Sequence, residues 1–95
     1  MKPKGRPKKQ RVIKTEPKIK LFSPRGKPGR SDEVQLTLDE FEAIRLVDFQ
    51  GLSQQEAANS MGISQQTLSR VIRKARKTLA NALILGKIIK INPQE

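Results

Sequence analysis

Cysteine, histidine, tryptophan and tyrosine are all missing from this 95-residue chain, and phenylalanine occurs only three times. Without cysteine no disulfide can form, and zinc sites built on cysteine or histidine are excluded. Nucleophilic catalysis by Cys–His or Ser–His pairs is excluded with them. Carboxylates and lysines remain, but the acids scatter over expected helix starts and outer faces and do not converge. An enzyme is therefore not expected, nor a metal or any other cofactor. No apolar run approaches the ~20 residues that span a bilayer. The basic N-terminus lacks the apolar stretch of a signal peptide, so the expected compartment is the cytoplasm, with no membrane contact. The scarcity of aromatics also counts against an RNA-binding reading, which would rely on base stacking.

What the chain does hold is positive charge, a formal net +11, and its placement is uneven. Residues 1–30 carry twelve Lys/Arg against the single acid Glu16, whereas residues 31–95 carry eight of each sign. Within that second part, residues 31–60 set seven acids against Arg45, and residues 61–95 set seven bases against Glu95. The expected division is a basic flexible arm and loop over 1–30, with 12–22 able to pack on the domain, followed by a folded domain over 31–95. A fold polarised in this way suits a nucleic-acid-binding module.

The most informative stretch is Leu52 to Ile72, LSQQEAANSMGISQQTLSRVI. Ser53 can cap a helix, with Glu56 three residues on completing a capping box. Ala57, Ala58 and Met61 give that helix a small apolar face. Gly62 supplies the left-handed residue that ends it. Ile63 plugs the corner and Ser64 caps a second helix. Leu68, Val71 and Ile72 fall on one side of the second helix, leaving Gln65, Gln66, Ser69 and Arg70 on the other. Two steeply crossing helices need a small residue at their contact, here Ala58. The second then buries one stripe and offers polar groups outward, as a helix entering the major groove does. An ordinary helical hairpin with solvated glutamines is the plainer alternative.

Other segments fall around this pair. Thr37 and Glu40 form another capping box, and Leu38, Phe41, Ile44 and Val47 recur in threes, with Leu46 and Phe49 widening a core face. After Ile72 the apolar stripe runs on through Ala75, Leu79, Ala82 and Leu83, with Arg73, Lys74, Arg76 and Lys77 around it. Leu83, Ile84 and Leu85 leave the last turn apolar on more than one side. Either the segment Val12–Phe22 covers them, which is the preferred expectation, or a second subunit does. Ile19 and Leu21 alternate with lysines as a short strand does, and residues 87–91 are β-branched, so a small antiparallel pairing of 18–22 with 87–91 is expected. Failing that, both are strips of chain lying on the helices. Ser23–Arg30 reads as a loop in which Arg25, Lys27 and Arg30 either clamp phosphate or merely link. Lys4-Gly5-Arg6-Pro7-Lys8-Lys9 is similar to an AT-hook core, an extended segment for the minor groove of A·T-rich DNA. The alternative there is a tail that touches phosphates without reading sequence.

The run TLDEFEAIRLVDFQGLSQQEAANSMGISQQTLSRVIRKARKTLANAL resembles region 4 of the sigma-70 family, the module that reads the −35 promoter element. With the Gly-Arg-Pro arm and the Phe-Ser-Pro-Arg-Gly loop added, the chain is similar to a family of short prokaryotic proteins described only as predicted DNA-binding, domain of unknown function number 134. Many members carry cysteines in the N-terminal segment, and this chain has none, so no metal or redox role carries over to it. Nothing here corresponds to the polymerase-binding and melting region of a full sigma factor. The resemblance implies a mainly α fold, a sigma region-4-like helix-turn-helix of three helices at about 37–50, 53–61 and 65–85.

The leading expectation is a sequence-specific double-stranded DNA-binding protein acting as a transcriptional regulator. Gln65, Gln66, Ser69 and Arg70 would read base edges, with Ser64, Arg73, Lys74 and Lys77 on phosphates beside Arg25, Lys27 and Arg30. The alternative is a sigma-like module docking on RNA polymerase or another regulator, with nonspecific DNA contact from the arm. A homodimer is compatible with either reading. No small-molecule ligand is expected.

Overall fold

The computed structural model describes residues 11–26 and 32–92. Within them the chain is mainly helical, with three helical segments and a small three-stranded sheet.

The first helix, α1 (Leu38–Ala43), starts at Thr37, whose hydroxyl accepts the Glu40 N–H while the Glu40 carboxylate accepts the Thr37 N–H at 3.0 Å. Both halves of the capping box are thus made, with Asp39 and Glu40 at the positive end of the helix. Beyond Ala43 the backbone stays in the right-handed region but widens into a π-helical stretch, Ile44–Phe49, closed by Gln50 N–H donating to the Arg45 carbonyl at 2.9 Å. This corrects the expectation of one uniform α-helix over 37–50. It also explains a second difference, because each residue of a wider turn advances the side chains by a smaller angle. Phe49 falls short of the inner stripe and is 83% exposed, so it is not part of the core.

Helix α2 (Gln54–Met61) begins with a complete Ser53–Glu56 capping box and ends at Gly62, φ +69°. There the N–H of Gly62 reaches the Asn59 carbonyl at 3.2 Å and that of Ile63 reaches Ala58 at 3.0 Å. This is the Schellman arrangement, which satisfies the last carbonyls of a helix. Helix α3 (Gln65–Leu85) follows at once, capped by Ser64, and runs to Gly86, again left-handed.

Three strands complete the fold. β1 (Leu21–Phe22) pairs antiparallel with β3 (Ile88–Asn92), setting Leu21 opposite Lys90 and Phe22 opposite Ile89. On its other side β3 runs parallel to β2 (Glu33–Thr37) over five residues. β2 is absent from the expected elements. It leads straight into the Thr37 cap, so the segment's apolar residues are shared between a strand and the start of a helix.

The interior falls into two adjoining clusters. Ala43, Leu46, Ala57, Ala58, Met61, Leu68 and Ile72 are buried where the three helices meet. Leu36, Ala75 and Ile91 are buried between α3 and the sheet, and Ile44 packs against both clusters. The four alanines Ala43, Ala57, Ala58 and Ala75 have no exposed surface, so neighbouring backbones approach closely there. The segment before β1 lies along the helices, with Val12 N–H donating to the Met61 carbonyl at 3.0 Å and Ile13 packed on the first cluster. Two expectations fail here. Leu83, Ile84 and Leu85 are 81%, 77% and 53% exposed, so the N-terminal segment does not cover the end of α3. Glu40 and Glu42 are buried, so the acids of α1 do not all face outward. Among the described residues no helix is long and apolar enough to cross a membrane.

Candidate nucleic-acid interface

The surface of interest is the outer face of α3. Leu68, Ile72, Ala75 and Ala82 are buried along one side. At 3.6 residues per turn, Gln66, Arg70, Arg73 and Lys77 share the opposite side, since they follow one another at steps of four, three and four. All four are exposed. Gln65 is also exposed, beside this stripe at the start of the helix, and Ser69 is half-buried at its edge. The structure therefore groups Gln65, Gln66, Ser69 and Arg70 on the first turns of α3, with Arg73 and Lys77 continuing the same face.

The helix start is held from below. Ser64 Oγ accepts the Thr67 N–H at 3.0 Å and donates to Thr67 Oγ1 at 2.9 Å. That hydroxyl is occupied by the cap, so an anion at this end would meet backbone N–H groups before it met Ser64. Arg25 is exposed on a turn after β1. Lys27, Arg30 and the arm residues Lys4, Gly5, Arg6, Pro7, Lys8 and Lys9 lie outside the described residues.

Not every base around α3 is equally available. Lys74 stands 3.8 Å from the buried Glu40 carboxylate, a loose contact that leaves its side chain 76% exposed. Arg76 makes a two-pronged contact with Asp48, Nε at 3.1 Å and Nη2 at 2.7 Å. The hydrogen bond from Arg76 holds the Asp48 carboxyl below its ordinary value despite the opposing effect of partial burial. Arg70, Arg73 and Lys77 make no ion pair among the described residues. The cations left over are those on the glutamine-bearing face.

A shallow groove joins this face to α1 and to the root of the arm. Arg11, Thr37, Asp39, Glu40, Arg70, Val71 and Lys74 line it. Arg11 pairs with Asp39 across it. Three residues on, Lys14 N–H donates to the Glu42 carboxylate at 3.1 Å, and the same carboxylate takes both Nε and Nη2 of Arg45 at 2.9 Å. Burial raises the Glu42 carboxyl, but the Arg45 hydrogen bond and then the Lys14 N–H outweigh it and leave the group below its ordinary value. The chain is thereby pinned where the arm begins, next to Arg70. The sequence carried one signal for this anchor, the Glu42–Arg45 spacing at three residues, which reads more simply as a surface pair. The Arg11–Asp39 contact spans 28 residues and has no local signal.

Among the described residues no group of His, Cys, Asp and Glu is placed to hold a metal ion.

Comparison with known proteins returns one family, described as "Protein of unknown function DUF134", whose model matches residues 1–95. A UPF0251 protein of Desulfosudis oleivorans is 52% identical over 87 residues, covering 90% of this chain and 63% of that protein. One from Methanococcus vannielii is 48% identical over 89 residues, covering 93% of this chain and 68% of that protein. One from Thermoanaerobacter is 46% identical over 87 residues, covering 90% and 77%. The chain thus spans roughly two thirds of the length of the first two relatives. No solved structure matches it.

Proposed function

The chain belongs to the DUF134 family, and for it we propose sequence-specific binding of double-stranded DNA in the service of transcriptional regulation. On this reading α2, the Gly62 turn and α3 act as a helix-turn-helix, and the first turns of α3 enter the major groove. Gln65 and Gln66 pair with adenine N6 and N7, and Arg70 with guanine O6 and N7, each good pair contributing ~1–3 kcal/mol of discrimination. Arg73 and Lys77, farther along the same face, meet phosphates. They add affinity that does not depend on sequence. The basic arm adds phosphate or minor-groove contacts.

The observation that carries this reading is the division of labour among the bases of α3. Arg76 is held by Asp48 and Lys74 stands only at the edge of reach of Glu40, while Arg70, Arg73 and Lys77 share an exposed face with Gln66. The root of the arm, fixed by Arg11 and Lys14 beside that face, supports the reading further.

Anisotropy of the full chain on a labelled duplex, over a salt series, tests it. Log affinity should fall steeply with log salt, and Lys77→Ala should lower the slope by about 1 while weakening all duplexes alike. Arg70→Ala should instead erase most of the difference between a preferred duplex and a scrambled one. Equal binding to every duplex, unmoved by Arg70→Ala, would leave docking on another protein as the better account.

A further inference from the structure

We propose that the groove between β2 and α3 is a phosphate site, and that the phosphate it takes belongs to the DNA backbone bordering the reading face. Lys74, Lys77, Thr78 and Asn81 of α3 line it opposite Val34 and Gln35 of β2, and its volume is about 320 Å³. Counted from Lys74, the other α3 residues follow at three, four and seven, so the four form one stripe of the helix. That stripe runs beside the reading stripe and shares Lys77 with it. The proposal deepens the DNA reading above and rests on it for the source of the phosphate.

The chemistry of the groove is that of an anion site. Two ammonium groups, the Thr78 hydroxyl and the Asn81 carboxamide supply donors, and no carboxylate is among the lining residues. The groove beside α1 differs in this respect, since Asp39 and Glu40 line it together with Arg11, Arg70 and Lys74. There the fold supplies its own anions, and between β2 and α3 it supplies none. Lys77 makes no ion pair among the described residues, and the 3.8 Å approach of Glu40 leaves Lys74 76% exposed. Val34, half-buried, walls one side with an apolar surface, and a hydrogen bond to a charged group is stronger where water is thinned.

Position along the helix points to a backbone phosphate. From Arg70 to the middle of the groove, between Lys77 and Thr78, is about 11 Å at ~1.5 Å per residue. The major groove of DNA is ~12 Å wide. A helix whose first turns reach base edges therefore carries this site out to the level of the phosphates at the rim. On the other flank of α3, Arg76 is held by Asp48, so the cations of the helix favour one of the two bordering strands.

Neutral substitutions separate such a site from general attraction to positive charge. Thr78→Val with Asn81→Ala removes a hydroxyl and a carboxamide and leaves the net charge as it was. Anisotropy of the full chain on a labelled duplex of arbitrary sequence should show affinity about tenfold lower for this variant. The slope of log affinity against log salt should not move, because no cation is lost. Asn81→Ala alone, at an exposed position, should show part of the loss, and Thr78→Ser, which keeps the hydroxyl, should bind as the native chain does. Native affinity in the double variant, with its helical circular dichroism intact, overturns the proposal, as does native affinity in Asn81→Ala if the double variant fails to fold. Inorganic phosphate tests the source. If it shifts the Asn81 side-chain amide in nitrogen-15 spectra while the substitutions leave duplex affinity unchanged, the groove takes free phosphate and the backbone assignment is wrong. A tenfold loss on duplexes that the chain does not tell apart supports the groove and removes sequence reading by α3. Unchanged affinity in the variants of a chain that does select its sites removes the groove and leaves the reading standing.

Discussion

The Glu42 carboxylate, with no exposed surface, accepts the backbone N–H of Lys14 across 28 residues of sequence. Arg45 grips the same carboxylate with two nitrogens, so one buried acid joins the N-terminal segment to the centre of the helical core. The core in question is the one that positions α3. A cut at residue 31 would remove Lys14 and β1 together, which is why the arm is better tested by substitution at Arg6, Lys8 and Lys9 than by truncation.

Removing that acid should be costly. Glu42→Ala leaves Arg45 facing a cavity and strands the Lys14 N–H, and breaking a buried pair in this way costs about 3–5 kcal/mol. The pH dependence has a definite sign. The carboxyl is held below its ordinary value of 4.5, so its stabilising contribution is complete above that value and is lost as pH falls through the depressed folded value. Thermal unfolding followed by circular dichroism from neutrality into acid should show a drop in midpoint that Glu42→Gln reduces. An identical acid limb in that variant would assign the drop to other carboxylates.

Asp48 and Arg76 make a contact of similar geometry at the surface, and the expected outcome differs. Both side chains are well solvated, 39% and 50% exposed, so Asp48→Ala should cost no more than about 0.2–1 kcal/mol. Urea titration of the two alanine variants side by side would separate them. A loss for Asp48→Ala as large as that for Glu42→Ala would mean that the pair, and not the packing, fixes α3 against the π-helical stretch.

The turn between α2 and α3 offers a backbone test. Gly62 has φ +69°, and a Cβ placed there would meet only Val12 Cγ2, at 3.7 Å, an ordinary contact. Gly62→Ala should therefore cost about 1–2 kcal/mol from left-handed backbone alone, with no added clash. Gly62→Asn, which tolerates that conformation better, should recover part of the loss in the same denaturation experiment.

The three helices are legible because their ends are written locally. Thr37–Glu40, Ser53–Glu56 and Ser64 announce starts, Gly62 and Gly86 announce stops, and the apolar steps between them follow the helical period. What is not legible depends on groups far apart in sequence. Phe49 fits the apolar stripe of an ideal α-helix, and only the widened turn at Ile44–Phe49 swings it out. Glu33–Thr37 is short and carries two apolar residues, so its role as a strand becomes visible only when β3 returns beside it. Glu42 looks like any acid on a helix until Lys14 arrives. The outer face of α3 was readable residue by residue, since burial of Leu68, Ile72 and Ala75 dictates which side chains point away. The engagement of Arg76 by Asp48 was not, because it requires the packed arrangement of α3 against the earlier helical segments.

The most direct test of the central claim is selection of bound sequences from a random duplex pool, run with the full chain and with Gln65→Ala/Gln66→Ala. Both glutamines are exposed at the start of α3, so the variant should fold and keep its salt-dependent affinity. The account predicts a defined motif for the native chain, with adenine positions that lose their preference in the variant. The same motif enriched equally by both proteins, or no motif from either, would contradict reading of DNA by this face of α3.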